Sequence, residues 1–152
     1  MKPNAHRHVE LHKPTPSRVL AELEAQHEAI RKLIERCEAL ADALDGGSLE
    51  AEHLTREVVR LRLALDSHNK FEEQLLRPVL LEEDAFAEVR IERMMDDHVG
   101  EHRAMHARLS STETQGLRET LQMLRGHLDN EEQYLLNAKV LHDDLISLDG
   151  GG

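Results

Sequence analysis

The apolar residues of this chain recur every three or four places over four long stretches, the stripe of amphipathic helices packed in a bundle. The first stretch runs from about Ser17, after Pro14 and Pro16, to Leu44. It carries Leu20, Leu23, Ile30, Ile34, Cys37, Ala41 and Leu44 on one face and stops at Asp45-Gly46-Gly47. The second begins near Ser48 and continues through Leu54, Val58, Leu61, Leu65 and Leu75 to about Arg77, where Pro78 disturbs its end. The third opens near Asp84, a suitable N-cap, and carries Ile91, Met94 or Met95, Met105 and Leu109. The fourth extends from about Gly116 to Leu148 through Leu117, Leu121, Leu124, Tyr134 or Leu135, Ala138, Leu141 and Leu145. Short connections between long helices favour antiparallel neighbours, so the pattern predicts an all-α, up-down-up-down four-helix bundle over residues 17–148. Residues 1–16 hold His6, His8 and His12 without an apolar period and are expected to form a flexible arm, as are the glycine-rich residues 149–152 a flexible tail.

Composition narrows the function classes. A chain of 152 residues with 2% aromatics must build its one core from Leu, Val, Ile, Met and Ala. Thirty acidic residues against 19 basic ones give a net charge of −11, which argues against a phosphate backbone as partner. No apolar run approaches the roughly 20 residues of a membrane span, and residues 1–16 lack the apolar stretch of a signal peptide. A cytoplasmic protein with neither nucleic-acid nor membrane partner is the expectation. Cys37, the single cysteine, cannot form an internal disulfide and is expected as a small buried hydrophobe.

Against this background the polar interruptions of the four seams stand out. His27, His68, Glu72, His98, His102, His127 and Glu131 all occupy positions where the period calls for an apolar side chain. Five imidazoles and two carboxylates buried without partners would cost a few kcal/mol each, and more for an ionised carboxylate. Their heights also agree. Measured from the first predicted turn, His27 and His68 lie 17 and 20 residues away, which is roughly 25 to 30 Å of helix. His98 and His127 lie equally far from the third predicted turn, so all seven side chains converge on one level.

A repeat reinforces the convergence: His68 and His127 each open a His-x-x-x-Glu-Glu-Gln string, which places the histidine and first glutamate on one helical face. Imidazole and carboxylate with no thiolate nearby suit a borderline-to-hard metal ion rather than an iron-sulfur or structural zinc site. Two carboxylates can each bridge two ions, which leaves five histidines to divide two and three. With a bridging hydroxide, one ion then keeps an open position for a small ligand such as dioxygen. The string His98-Val-Gly-Glu-His102 also matches an inverted zinc-peptidase pattern, but that reading leaves His27, His68 and His127 unexplained.

The order of a single His, His-x-x-x-Glu, His-x-x-x-His and His-x-x-x-carboxylate on four successive helices resembles the hemerythrin-like, HHE cation-binding family over roughly Ser17 to Leu145. The resemblance implies a four-helix bundle with two iron ions, bridged by carboxylates and by oxide or hydroxide. It implies His98, His102 and His127 on one iron, His27 and His68 on the other, and Glu72 and Glu131 between them. In the oxygen-carrying members the last carboxylate usually stands one residue farther on as Asp. Glu131 faces the seam here and is preferred, with Glu132 as the alternate. The expected function is reversible binding of dioxygen for storage, delivery or sensing. The alternatives within the family are a di-iron enzyme reducing peroxide or nitric oxide, and an iron storage or iron-repair protein.

Flanking residues carry plainer expectations. Tyr134 is expected in the core rather than as a phenol beside the irons, and Glu73 and Glu132 to face solvent or touch the ligands from outside. His106 is expected at the surface rather than against the site, and His53 and His142 in solvent. Met94, Met95 and Met105 are expected to pack adaptably or to line a small apolar pocket.

Overall fold

A computed structural model describes residues 15–47, 51–76, 78–80, 88–109 and 114–143; for 88–95, 106 and 114 it describes the backbone alone. Four long helices stand among the described residues: α1 Pro16–Asp45, α2 Ala51–Phe71 with a π-helical turn Glu72–Leu76 at its end, α3 Glu88–Arg108 and α4 Thr114–Tyr134. There is no strand among the described residues, and no described helix is long and apolar enough to cross a membrane.

Local chemistry explains the ends. Thr15 caps α1 by accepting from the Arg18 amide, and Pro16 occupies the first turn, where its missing N–H costs nothing. Gly46 closes the helix, its backbone N–H donating to the Asp42 carbonyl, and Gly47 takes a φ of 76°, a conformation that disfavours any side chain with a Cβ. The expected Asp84 cap, residues 1–14 and residues 144–152 lie outside the described residues.

Pairing between helices sets the topology. From Arg31 with Asp129 and Glu132, through Glu38 with Arg125, to Asp42 with Arg118, numbers rise along α1 as they fall along α4. The same inversion relates Gln26–His68 to Arg36–Glu57 on α1 and α2, and His102–His127 to Arg108–Met123 on α3 and α4. Each helix thus runs antiparallel to its neighbours, in the order α1, α2, α3, α4 around the bundle. The predicted four-helix architecture is the observed one.

The core is divided. One apolar cluster joins Ile30, Ile34, Cys37, Leu61, Leu65, Met105, Leu121, Leu124 and Leu128; a second joins Val19, Leu23, Leu76, Leu80, Leu135, Leu136 and Leu141. Each fully buried aliphatic side chain contributes roughly 1.5–3 kcal/mol of transfer free energy. The seven polar seam residues lie between the two clusters, so leucine layers seal them above and below. Cys37 is fully buried, and burial pushes its thiol up to about 11.

Two predicted details change. The fourth helix stops at Tyr134 rather than Leu148, because Asn137 turns the chain back: its amide donates to the carbonyls of Glu132 and Gln133 while its oxygen accepts from the amides of Lys139 and Val140. Asp143 then accepts from the amide and hydroxyl of Ser17, tying this segment to the start of α1. Second, Tyr134 is 69% exposed, neither in the core nor beside the polar layer, and Leu135 fills the buried place.

Candidate metal centre

The polar layer gathers all seven predicted residues. His27, on α1, lies between Leu23 and Ile30; His68 and Glu72 sit at the end of α2; His98 and His102 lie on α3; His127 and Glu131 on α4. Glu131 is the hub. The Nε2 atoms of His27 and His98 stand 2.8 Å from its carboxylate, those of His102 and His68 3.4 and 3.5 Å, and that of His127 is also in contact. Glu72 lies opposite, 3.0 Å from His68 Nε2 and in contact with His98 Nε2. Two sets of ligand atoms result, each within 4.8 Å internally: His98, His102, His127 and Glu131, and His27, His68, Glu72 and Glu131.

Glu132, the alternate for Glu131, points away from the hub. It accepts at 3.2 Å from Nδ1 of His27 and from both terminal nitrogens of Arg31, at 2.5 and 2.7 Å. The Arg31 guanidinium holds the Glu132 carboxyl below its ordinary range, and Glu132 in turn raises Arg31.

The arrangement does not satisfy itself. His68 Nε2, His98 Nε2 and both carboxylate oxygens of Glu72 are buried without a hydrogen bond, while His102 Nε2 faces His127 Nε2 at 3.1 Å. Burial alone would push His68 down, but the carboxylates of Glu131 and Glu72 overcome it and raise the imidazole to about 9. The same opposition raises His98 to about 10. Glu131 is held well below the ordinary carboxylate range: the imidazoles around it, His102, His127, His27 and His68, outweigh the desolvation that would raise it. Imidazole nitrogens and anionic oxygens converging in a buried layer are the donor set of a divalent or trivalent cation, which would take the place of the imidazole protons, and the residues present fit one.

The outer edges of the rings show a feature that the seam pattern missed. Gln26 on α1 accepts from His68 Nδ1 on α2 at 2.9 Å, and Glu73 on α2 lies 3.7 Å from His102 Nδ1 on α3. Glu101 on α3 lies 3.2 Å from His127 Nδ1 on α4, and Glu132 on α4 returns to His27 on α1. Each helix therefore supports a histidine of the next around the bundle. Such contacts fix which ring nitrogen carries the proton and aim the other inward. The available sequence signal is adjacency: Gln26, Glu73, Glu101 and Glu132 each stand next to a seam residue, and so on the flank that meets the neighbouring helix.

Two clefts flank α3. One of about 280 Å³, between α2 and α3, is lined by Asn69, Glu73, Val99 and His102; another of about 420 Å³, between α3 and α4, by Ala104, Met105, Met123, Gly126 and His127. Met105 packs in the core and also borders this cleft, which Glu101, Arg108 and Asn130 line as well, whereas the side chains of Met94, Met95 and His106 lie outside the described residues. His53 is exposed and His142 half-buried.

Fold and site together define a helical bundle with a buried, histidine-rich layer that could hold a cation. The family model for the hemerythrin HHE cation binding domain matches residues 18–138, and the chain belongs to that family. Among curated proteins and solved structures, none matches the chain.

Proposed function

We propose that the layer holds two iron ions and binds dioxygen reversibly. The observation that carries this reading is the sharing of Glu131 by two compact ligand sets, with five Nε2 atoms turned inward. His98, His102 and His127 would hold one ion, His27 and His68 the other, with Glu72 and Glu131 reaching both. Two such ions, when bound, supply the electrons for capture of a small oxidant. The protein's part is to fix four of the five rings, those of His27, His68, His102 and His127, through their Nδ1 atoms, to keep Glu72 and Glu131 ionised, and to exclude bulk water with the leucine layers on either side.

The position of Tyr134 removes one proton source that the alternative, reduction, would use. Reduction of peroxide or nitric oxide needs a proton at the reacting atoms, and this phenol stands in solvent rather than at the layer. The Met105 cleft, lined also by Glu101, Arg108 and Asn130, gives a small ligand an approach as far as the edge of His127.

The test is an optical spectrum of the iron-loaded, anaerobically reduced protein on exposure to oxygen. A visible band that forms with oxygen and vanishes under vacuum over repeated cycles is expected. Immediate irreversible oxidation would favour the enzyme, and prompt loss of iron to a mild chelator would favour storage or donation.

A further inference from the structure

The ring of supports around the centre is not uniform. Three of its members are carboxylates, and the fourth, Gln26, is a neutral amide. Its orientation is set: Nε2 donates to Glu22 at 3.2 Å, which leaves Oε1 to accept from His68 Nδ1. The one carboxylate on the same half, Glu132, shares its charge with Arg31. On the other half, no lysine or arginine among the described residues pairs with Glu73 or Glu101. A carboxylate behind an imidazole makes it a stronger donor to a metal, and changing such a partner shifts affinity by about 10- to 100-fold.

We propose that Gln26 makes the two halves of the centre unequal, so that the ion at His27 and His68 is the more weakly held and Gln26 sets the gap. This rests on the two-ion reading above.

Cobalt(II) alone serves as probe, since its visible bands report each binding step and competition with a chelator gives the two affinities. The wild-type chain should take up two ions in separable steps, and His27→Ala should remove only the weaker. Gln26→Glu is nearly isosteric, and Glu22 is exposed and can turn into solvent. It should tighten the weaker ion about 10-fold and change its spectrum while leaving the tighter one in place. Glu101→Gln should do the reverse, weakening the tighter ion about 10-fold and leaving the weaker unchanged. Glu101 is 62% exposed, so this second variant carries the test if Gln26→Glu fails to fold. An unchanged gap in either folded variant, or an equal shift of both ions, overturns the role of Gln26. Uptake of one ion or none by the wild type overturns the two-ion reading itself, and this inference with it.

Discussion

Glu72 and Glu131 occupy equivalent places in widened turns of backbone. Glu72 opens the π-helical turn that ends at Leu76, and the Glu131 carbonyl accepts from the Leu136 amide, five residues on, at 2.6 Å as well as from Leu135 at 2.9 Å. Such turns occur where a helix must carry a functional side chain out of register. The sequence beyond Glu72 suits such a turn: Pro78 has no N–H to offer the Gln74 carbonyl, and in an unbroken α-helix its ring would crowd that carbonyl. The repeated His-x-x-x-Glu-Glu-Gln string thus repeats in backbone as well as in side chains.

Removing metal should loosen the whole bundle, because the imidazole and carboxylate groups would then share the dry layer without their cation. A ligand at 100 times its dissociation constant stabilises by about 2.7 kcal/mol, so the melting temperature should fall by several degrees on chelation and recover on adding iron. Calorimetry of the stripped and reloaded protein checks this. A melting temperature indifferent to metal would contradict it.

Glu131 and Glu132 should separate cleanly. Glu131→Gln removes the charge that both ligand sets share and should leave less than one tightly held ion per chain. Glu132→Gln weakens the support behind His27 and the pairing with Arg31 without touching the hub, so two ions should remain, one of them held about 10-fold more weakly. Equilibrium dialysis of the two variants distinguishes the residues, and the opposite ranking would make Glu132 the bridge.

The metal-free protein should lose stability as pH rises. His68 and His98 are raised to about 9 and 10 in the fold from an ordinary value of about 6.5. Their contribution is therefore fully present below about pH 6.5 and is lost as pH climbs through 9 to 10. The depressed Glu72 and Glu131 act oppositely, withdrawing stability only as pH falls below the ordinary carboxylate range. Thermal melts between pH 5 and 10 should show the alkaline decline in the stripped protein; a flat profile there would contradict the protonated-imidazole arrangement.

The fold and the convergence of the layer were legible in sequence because both rest on spacing. His27, His68, His98 and His127 could be levelled by counting residues, and the i, i+4 pairs placed Glu72, His102 and Glu131 on the same faces. Spacing fails where helical geometry changes. The extra residue in the turn after Glu72 moves the buried position from the predicted Leu75 to Leu76, and the equivalent shift after Glu131 buries Leu135 and exposes Tyr134. Asn137 reads as one more polar residue until its side chain is seen capping both sides of a turn. Glu57, buried beside Val58, which packs against the core as expected, is paired with Arg36 and Arg60, which a pattern of apolar residues does not reveal.

The apolar clusters predict unequal costs for one kind of substitution. Leu121→Ala, in the fully buried core, should cost about 2–5 kcal/mol, whereas Leu63→Ala, at a position 62% exposed, should stay within about 0.5 kcal/mol. Denaturant titration of both variants measures the difference. Equal losses would contradict the assigned faces of α2 and α4.

The most direct test of the centre is the metal content of the full chain purified from iron-replete cells, measured beside a variant in which His27 and His127 are both alanine. About two irons per wild-type chain, with most of that iron lost in the variant, is the predicted result. A wild-type chain carrying no iron, or iron retained unchanged by the variant, would contradict the assignment of the histidine and glutamate layer as a di-iron site.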